Sequence, residues 1–378
     1  MSDGTRDLIG HLAEEVLLCD GAMGSRVQQA SLDVEDDFWG KENCTEILNL
    51  SRPDIVREIH MGYLAAGSDI IQTNSFGGSP ITLAEFELQD RALEINRRSA
   101  ELAREAAAEF ERDGRPRYVL GSIGPGTKLP SLGQVDYDRL EAALAVQAEG
   151  LIEGGVDGLL VETSQDILQL KAAVNGSRLA MEKLARPLPL ITQVTVETTG
   201  TLLVGTDIAA AATVIRALDV AMMGLNCATG PQEMSEHVKW LSENWPGLIS
   251  VQPNAGLPEL VNGETCYPLT SKEMAGWLRR FVTEDGVNLV GGCCGTVSAH
   301  IRALHDMLQE VGGGSRPKPA KRSPEWLPSV ASLYGQVSYR QENAYLSIGE
   351  LCNANGSKKF RELQAAEDWD GCVAMARE

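Results

Sequence analysis

Three cysteines of this chain stand where they could bind a single metal ion. Cys293 and Cys294 are adjacent in GGCCGT, after the apolar run VNLV, and Cys227 ends GLNC, after the apolar run VAMM. Thiolates are good zinc ligands, and a site with only three protein ligands is typical of zinc that takes part in chemistry. The alternatives for the adjacent pair are a strained disulfide, two small buried residues or a redox switch.

The glycines around the cysteine pair bear on this choice. Adjacent residues of a regular strand point to opposite faces, so Cys293 and Cys294 could not both bind one ion from a strand. Gly291, Gly292 and Gly295 flank the pair, and glycine adopts backbone angles that other residues avoid. We therefore predict that the chain folds here so that both sulfur atoms face one ion.

The chemistry of such a centre follows from its charge. Zinc with three thiolates is formally anionic, so it generates hydroxide poorly and suits the capture of another soft ligand, such as a substrate thiol. A free thiol has a pKa of about 8.5 and is mostly protonated at pH 7, whereas coordination removes the proton. The expected reaction is alkyl transfer to sulfur.

Eight short apolar runs recur along the chain, separated by helix-like segments. Most runs are continuous rather than alternating, as expected for parallel strands covered on both faces. One intervening segment has Ser51 as a cap, Pro53 in its first turn and Gly67 just past its end, which is typical of a helix. Eight alternations predict a (β/α)8 TIM barrel. A doubly wound open sheet is less favoured because no dinucleotide fingerprint follows the first run. The runs are EVLLCDGAMGS, SDIIQTNSFGG, RYVLGSIGPG, VDGLLVETSQD, PLITQVTVE, VAMMGLNCATG, GLISVQPNAG and VNLVGGCCGT.

The carboxyl ends of the strands form the active-site mouth of such a barrel. Three cysteines therefore converge there from only two strands, the sixth and the eighth. The residues predicted at the mouth are Asp20, Asn74, Gly124, Glu162, Gln193, Cys227, Asn254, Cys293 and Cys294.

The chain divides into three parts. Residues 1–311 are predicted to form the barrel. Residues 312–324, GGGSRPKPAKRSP, are rich in glycine, basic residues and proline and are predicted to be a linker. Residues 325–378 contain one strand-like piece, AYLSIGELCNANG, and one helix-like piece, SKKFRELQAAEDWDGCVAMARE. One incomplete βα unit is too small for a core of its own.

Bulk composition excludes some classes of partner. The chain of 378 residues has a net charge of −20, which argues against nucleic acid and anionic membranes as partners. We find no signal-peptide pattern and no apolar run near the roughly 20 residues that cross a bilayer. The cytoplasm is the expected compartment, where the eight cysteines are expected to be ligands or small core residues.

Taken together, eight motifs resemble the homocysteine S-methyltransferase family. The likeness runs from about Glu15 to about Leu308 and is greatest to the N-terminal, homocysteine-binding modules of cobalamin-dependent methionine synthases. It implies that Cys227, Cys293 and Cys294 bind zinc. The motifs are LLCDGAMGS, ENCTEILNLSRPDIV, GSDIIQTNSFGG, GSIGPG, LLVETSQD, GLNC, PNAG and GGCCGT.

The resemblance also implies the substrate residues. The DGAMG turn is expected to hold the amino-acid part of homocysteine, with Asp20 at the family's acidic position and the amides near Ala22 and Met23 donating hydrogen bonds to the carboxylate. Glu162 and Asn254 match positions that bind the α-amino group. An ammonium group needs carboxylate and amide oxygens, and a carboxylate suits a turn of N–H groups. The alternative for each side chain is a strand-end cap or a supporting hydrogen bond.

The tail resembles a second module of the same enzymes. SIGELCNANGSKKFREL is similar to the start of the pterin-binding barrel that follows the homocysteine module, although Leu351 stands where that family usually has arginine. The predicted partners are therefore homocysteine and cobalamin- and pterin-binding modules, in the same longer chain or in separate subunits.

The expected activity is zinc-dependent methyl transfer to homocysteine, giving methionine. Methylcobalamin is the expected donor, held elsewhere because the DxHxxG pattern is absent here. One alternative is a stand-alone homocysteine methyltransferase that uses S-methylmethionine or betaine. An alternative of another class is a zinc- or redox-sensing regulatory protein. A substrate-sized pocket beside the metal would favour the enzyme.

Overall fold

Eight parallel strands form the centre of the computed structural model, which describes residues 7–111, 114–261, 264–343 and 352–377. They pair in the order β1-β10-β7-β6-β5-β4-β3-β2. Two further strands, β8 and β9, form an antiparallel hairpin after β7. The strands are β1 (Leu17–Leu18), β2 (Ile70–Gln72), β3 (Tyr118–Ile123), β4 (Gly158–Ser164), β5 (Leu190–Val194), β6 (Met222–Asn226), β7 (Leu248–Gln252), β8 (Glu259–Val261), β9 (Glu264–Cys266) and β10 (Leu289–Val290).

Hydrogen bonds across the seam between β1 and β2 bring the ring of strands close to closure. The Asp69 amide donates to the Leu18 carbonyl at 2.8 Å, and the Leu18 amide donates to Asp69 Oδ2 at 3.0 Å. Farther along, the Gln72 amide donates to Asp20 Oδ2 at 2.9 Å. The predicted (β/α)8 TIM barrel is confirmed.

Helices cover the outside of the barrel, as a parallel sheet requires. The predicted helix after Ser51 begins at Pro53 and ends at Gly67, whose φ of 108° suits glycine. Ser51 instead ends a short preceding helix, so its predicted capping role is wrong. Within the described ranges, no helix has the length and apolar character needed to cross a membrane. The helices are α1 (Leu8–Glu14), α2 (Met23–Gln29), α3 (Leu48–Ser51), α4 (Pro53–Ala66), α5 (Pro80–Leu83), α6 (Ala92–Phe110), α7 (Tyr137–Glu153), α8 (Ile167–Lys183), α9 (Ile208–Ala217), α10 (Pro231–Asn244), α11 (Ser271–Thr283) and α12 (Ser298–Val311).

Successive side chains of the strands point to opposite faces and therefore belong to two separate apolar cores. Leu120 of β3 belongs to a buried cluster to which six other barrel strands also contribute, whereas Val119 packs into the larger cluster that includes the helices. Two residues beyond Leu120, the same face of β3 presents Ser122, and on β4 Leu160 is followed in the same way by Glu162. The barrel interior therefore changes from apolar to polar toward the carboxyl ends of the strands.

The segment predicted as a linker contacts the barrel. The Arg316 guanidinium is 1% exposed, and its Nε lies 2.7 Å from Asp69 Oδ2. The Pro317 carbonyl accepts a hydrogen bond from Val16, and Arg322 Nη1 donates to the Trp245 carbonyl, both at 2.8 Å. The compact unit that contains the barrel extends to Trp326 and includes Ala331–Gln336.

Truncation should reveal the contribution of this segment. A chain ending after Val311 loses Arg316 and leaves the buried Asp69 carboxylate with fewer partners, so we expect a free energy of unfolding lower by about 3 kcal/mol. A chain ending after Gln336 is the matched control and should keep the full-length stability. Denaturant titration of both chains measures the difference. Equal stability would show that the segment adds nothing to the barrel.

A second unit comprises Leu327–Val330 and the chain from Val337 onward. Strands β11 (Ser329–Ala331) and β12 (Gln336–Ser338) pair with each other. The tail helix that we predicted as one element is two, α13 (Lys358–Ala365) and α14 (Trp369–Arg377), because the chain turns at Glu367 with a φ of 55°. The strand predicted in AYLSIGELCNANG falls largely on residues 344–351, which lie outside the described residues.

Candidate metal centre and substrate pocket

The three predicted cysteines meet at the mouth of the barrel. The sulfur atoms of Cys227, Cys293 and Cys294 all lie within 4.8 Å of one another. The Sγ atoms of Cys227 and Cys294 are 3.8 Å apart. Among the residues that the structure describes, this is the one cluster of three or more histidine, cysteine or acidic side chains that could hold a metal ion.

Unusual backbone at the end of β6 carries the first of these cysteines. Cys227 follows the last residue of the strand and has a φ of 60°, and Ala228 has a φ of 54°. Such angles are uncommon for residues with a Cβ atom. The Cys227 amide donates to the Gln252 carbonyl at 3.3 Å, which ties the turn to the neighbouring strand β7.

The other two cysteines lie on a turn beyond β10, as we predicted. The Cys293 amide donates to the Pro253 carbonyl at 2.8 Å, and the Cys294 carbonyl accepts from Ala255 at 2.9 Å. Gly295 has a φ of 76°. We predicted that Gly292 is needed for an unusual backbone angle, but the structure shows that it is needed for close packing. A Cβ atom at this position would lie 2.4 Å from Thr296 Oγ1. One glycine thus allows the backbone angle and another allows close packing.

The thiol cluster favours a single anionic sulfur. Hydrogen bonds from Cys227 and then Cys293 lower the pKa of the Cys294 thiol to about 3. The Cys293 thiol forms hydrogen bonds with Cys227 and Cys294 and is buried, and these contacts raise its pKa well above the usual value. A cation would allow all three thiols to ionise. Three soft sulfur donors around one point fit Zn²⁺ better than Mg²⁺ or Ca²⁺.

A cavity of about 250 Å³ adjoins the sulfur atoms. Its size suits a small molecule of amino-acid dimensions better than a nucleotide. The pocket has sulfur in one part of its wall and three acidic residues, Asp20, Glu46 and Glu162, in others. The lining residues are Asp20, Gly21, Ala22, Met23, Gly24, Ser25, Thr45, Glu46, Gln72, Thr73, Asn74, Ser75, Phe76, Ser122, Glu162, Thr163, Cys227, Gly292, Cys293 and Cys294.

Glu162 is buried in the pocket wall and accepts from three side-chain donors, the most distant being Thr163 Oγ1 at 3.4 Å from its Oε2. Ser122 Oγ donates to its Oε1 at 2.5 Å, and Asn226 Nδ2 donates to its Oε2 at 3.0 Å. Burial raises the pKa of this carboxyl to about 7. Ser122 lies in the GSIGPG motif, and its position two residues after Leu120 on β3 could have indicated that it faces the pocket.

Asp20 has both a structural contact and a place in the pocket. It accepts the Gln72 amide across the barrel seam at 2.9 Å, and the Cys19 thiol lies 3.5 Å from its Oδ1. Burial raises the pKa of Asp20 to about 8. The alternative that we gave for this residue, a supporting hydrogen bond, is therefore present at both of its oxygen atoms.

The predicted carboxylate-binding amides differ in their partners. The Ala22 amide donates to Thr296 Oγ1 at 3.2 Å. Met23 begins α2, so its amide has no acceptor within the helix. Sequence reasoning missed Thr296, which lies far along the chain from the DGAMG turn and is brought to it by the pairing of β1 with β10.

Asn254 lies just beyond β7. Its side-chain Oδ1 is buried and accepts no hydrogen bond from any described residue, but Asn254 is not among the residues that line the cavity. We placed Asn74 and Gln193 at the mouth from strand position alone. The side chains of both form hydrogen bonds with other residues of the chain. Asn74 Nδ2 donates to the Thr45 carbonyl at 2.8 Å, and Gln193 Nε2 donates to Gln252 Oε1 at 2.8 Å.

Fold and site together define a β/α barrel with three clustered thiols that could bind a metal ion, beside an acidic pocket. The homocysteine S-methyltransferase family model matches residues 17–308. The chain belongs to this family, which confirms the resemblance predicted from the motifs.

Relatives of known identity agree with this assignment. Methionine synthase of Mycobacterium tuberculosis is 47% identical over 372 residues, and that of Mycobacterium leprae is 46% identical over the same length. These alignments cover 98% of this chain but 31% of each relative, so the chain spans about a third of their length.

A solved structure has the same fold. The homocysteine methyltransferase MmuM from Escherichia coli, in its metallated form, matches with a TM-score of 0.63 and 22% identity over 78% of this chain and 96% of that one.

Proposed function

We propose that this chain binds Zn²⁺ through Cys227, Cys293 and Cys294 and transfers a methyl group to the thiol of homocysteine, giving methionine. One observation carries the proposal: the three sulfurs lie at the wall of an amino-acid-sized pocket whose other walls hold buried carboxyl groups. Family membership supports the same activity. A zinc- or redox-sensing protein would not need a pocket of this kind.

The cysteine cluster would hold the reacting end of the substrate. When bound, Zn²⁺ supplies the positive charge that keeps a substrate thiol ionised near pH 7. The protein holds its three sulfurs together through main-chain bonds from Cys227 to Gln252 and from Cys293 to Pro253. Because these bonds are made by the backbone, the sulfur cluster is organised by the barrel itself.

The acidic part of the pocket would hold the amino-acid end. The Glu162 carboxylate, oriented by Ser122 and Asn226, is the partner that an α-ammonium group requires. The Met23 amide faces no helical acceptor and suits the α-carboxylate. We assign Asp20 and the unpartnered Oδ1 of Asn254 to the same end of the substrate.

Binding should weaken as the pH falls. The pKa values of Glu162, about 7, and Asp20, about 8, are raised by burial. As the pH falls, Asp20 becomes protonated around pH 8 and Glu162 around pH 7, and a protonated carboxyl group cannot pair with an ammonium group. Methionine is a suitable probe because it has no thiol to titrate. Calorimetry should show its affinity falling at least about tenfold between pH 8 and pH 6, with a flatter profile for Glu162→Gln. A constant affinity across this range would contradict the carboxylate assignment.

The methyl donor would be brought to the pocket by another protein module. The connections at the carboxyl ends of the strands leave large apolar side chains exposed, including Leu132 at 62% and Leu260 at 79%. Such residues around a pocket are typical of a docking surface. We infer that it receives a cobalamin-binding module carrying methylcobalamin, and that the tail begins a pterin-binding module. The exposed apolar residues in these connections are Val34, Trp39, Phe76, Leu132, Leu203, Leu257 and Leu260.

A donor assay tests the proposed function. Zinc-loaded chain is incubated with homocysteine and free methylcobalamin, S-methylmethionine or betaine, and methionine is measured with and without a chelator. We expect methionine with methylcobalamin, and only without the chelator. If methionine formed with S-methylmethionine or betaine but not with methylcobalamin, the assignment of methylcobalamin as the donor would be wrong. No methionine with any donor from a zinc-loaded chain would contradict the transferase.

A further inference from the structure

Tyr267 lies against the turn that carries two of the three sulfur atoms. It follows β9 in the connection between β7 and α11. A Cβ atom built on Gly295 would lie 2.2 Å from Cγ of the Tyr267 ring. The ring therefore rests directly on Gly295, the residue after Cys294, and any other residue at that position would displace it.

Hydrogen bonds hold this segment in place. The Leu269 amide donates to the Ala255 carbonyl at 2.9 Å, and the Ala255 amide donates to the Cys294 carbonyl at 2.9 Å. His300 Nδ1 accepts from the Val297 amide at 3.2 Å, so its Nε2 carries the proton and donates to the Leu269 carbonyl at 3.2 Å. The residues after Tyr267 are thus tied to both sides of the cysteine turn.

We propose that Tyr267 is a positioning residue of the metal centre, whose hydroxyl donates a hydrogen bond to the Cys294 sulfur when that sulfur is a metal-bound thiolate. This inference rests on the proposed function of the three cysteines. Its contact with Gly295 places the phenol ring against the turn that carries Cys294, and the Tyr267 side chain interacts with the Cys294 sulfur. A tyrosine hydroxyl carries its proton at neutral pH and can donate it to an acceptor.

The hydrogen bond would have a defined effect. Three thiolates concentrate negative charge, and a substrate thiolate would add more. A donor to one sulfur offsets part of that charge and stabilises the deprotonated form that a metal needs. Groups that support metal ligands in this way typically change metal affinity by about ten- to a hundredfold.

Cobalt substitution tests the role of Tyr267. Tyr267→Phe keeps the ring on Gly295 and removes the hydroxyl. Tyr137→Phe is the matched control, because its hydroxyl contacts Asn175 at 2.9 Å on the helical layer. Each purified full-length chain is titrated with Co²⁺ alone. We expect Tyr267→Phe to bind Co²⁺ about tenfold more weakly and to shift the sulfur-to-cobalt charge-transfer band to lower energy, with Tyr137→Phe matching the wild type.

The outcomes separate the two proposals. An unchanged band energy in Tyr267→Phe, with or without a loss of affinity, would overturn the hydrogen bond, because a purely packing role would not alter the electron density on sulfur. Failure of the wild-type chain to bind Co²⁺ would overturn the metal centre itself, and the Tyr267 inference with it. A shifted band in Tyr267→Phe supports the inference whether or not homocysteine is later found to bind.

Discussion

Replacement of any one of the three clustered cysteines by alanine should abolish zinc binding and methyl transfer. Cys227→Ala, Cys293→Ala and Cys294→Ala each leave two sulfurs, which is too few for the tight binding that these thiols provide together. We expect one zinc per wild-type chain by elemental analysis, less than about a tenth of that in each variant, and methionine formation reduced at least about a thousandfold.

A matched control is available in the same region of the chain. Cys266 ends β9 and is exposed, so Cys266→Ala should retain full zinc content. The barrel should remain folded in all the variants, because its apolar core is far larger than the site. Full zinc content in the three cluster variants would remove the central proposal, and global unfolding on zinc loss would contradict a catalytic centre.

Loss of the Glu162 carboxylate should weaken homocysteine binding without removing zinc. Glu162→Ala removes the proposed partner of the α-ammonium group, which should cost about 1.5–3 kcal/mol, or about ten- to a hundredfold in affinity. Titration of the zinc-loaded variant with homocysteine measures this loss. Asn254→Ala should have a smaller effect, since an amide oxygen carries no full charge.

Folding and binding effects can be separated for this residue. Ser122 and Asn226 lose their acceptor in Glu162→Ala, whereas Glu162→Gln keeps an oxygen for them. Glu162→Gln should therefore fold as the wild type does and still bind homocysteine weakly. A wild-type dissociation constant in both variants would refute the assignment of Glu162 to the ammonium group.

Much of the fold and part of the site could be predicted from local sequence pattern. Eight apolar runs alternating with amphipathic segments predict the parallel barrel, since each run must be covered on both faces. The barrel in turn predicts that residues after each run meet at one end. This is why Cys227 could be placed beside Cys293 and Cys294, although at least 65 residues lie between them in the sequence.

The remaining features depend on contacts between distant parts of the chain. Thr296 contacts the DGAMG turn only because β10 pairs with β1. The positive φ of Cys227 is uncommon for a residue other than glycine and has no signal in the sequence. Arg316 looked like a solvated linker residue, yet its contact with Asp69 buries it. A basic, proline-rich composition cannot reveal such a partner.

X-ray absorption at the zinc edge, with and without homocysteine, tests the central proposal most directly. Zinc in the wild-type chain should have three sulfur neighbours, from the cysteines that lie together in the structure. Addition of homocysteine should add one more sulfur neighbour, because the substrate thiol is proposed to bind the metal. A sulfur count that stays the same when homocysteine is bound would contradict the proposal.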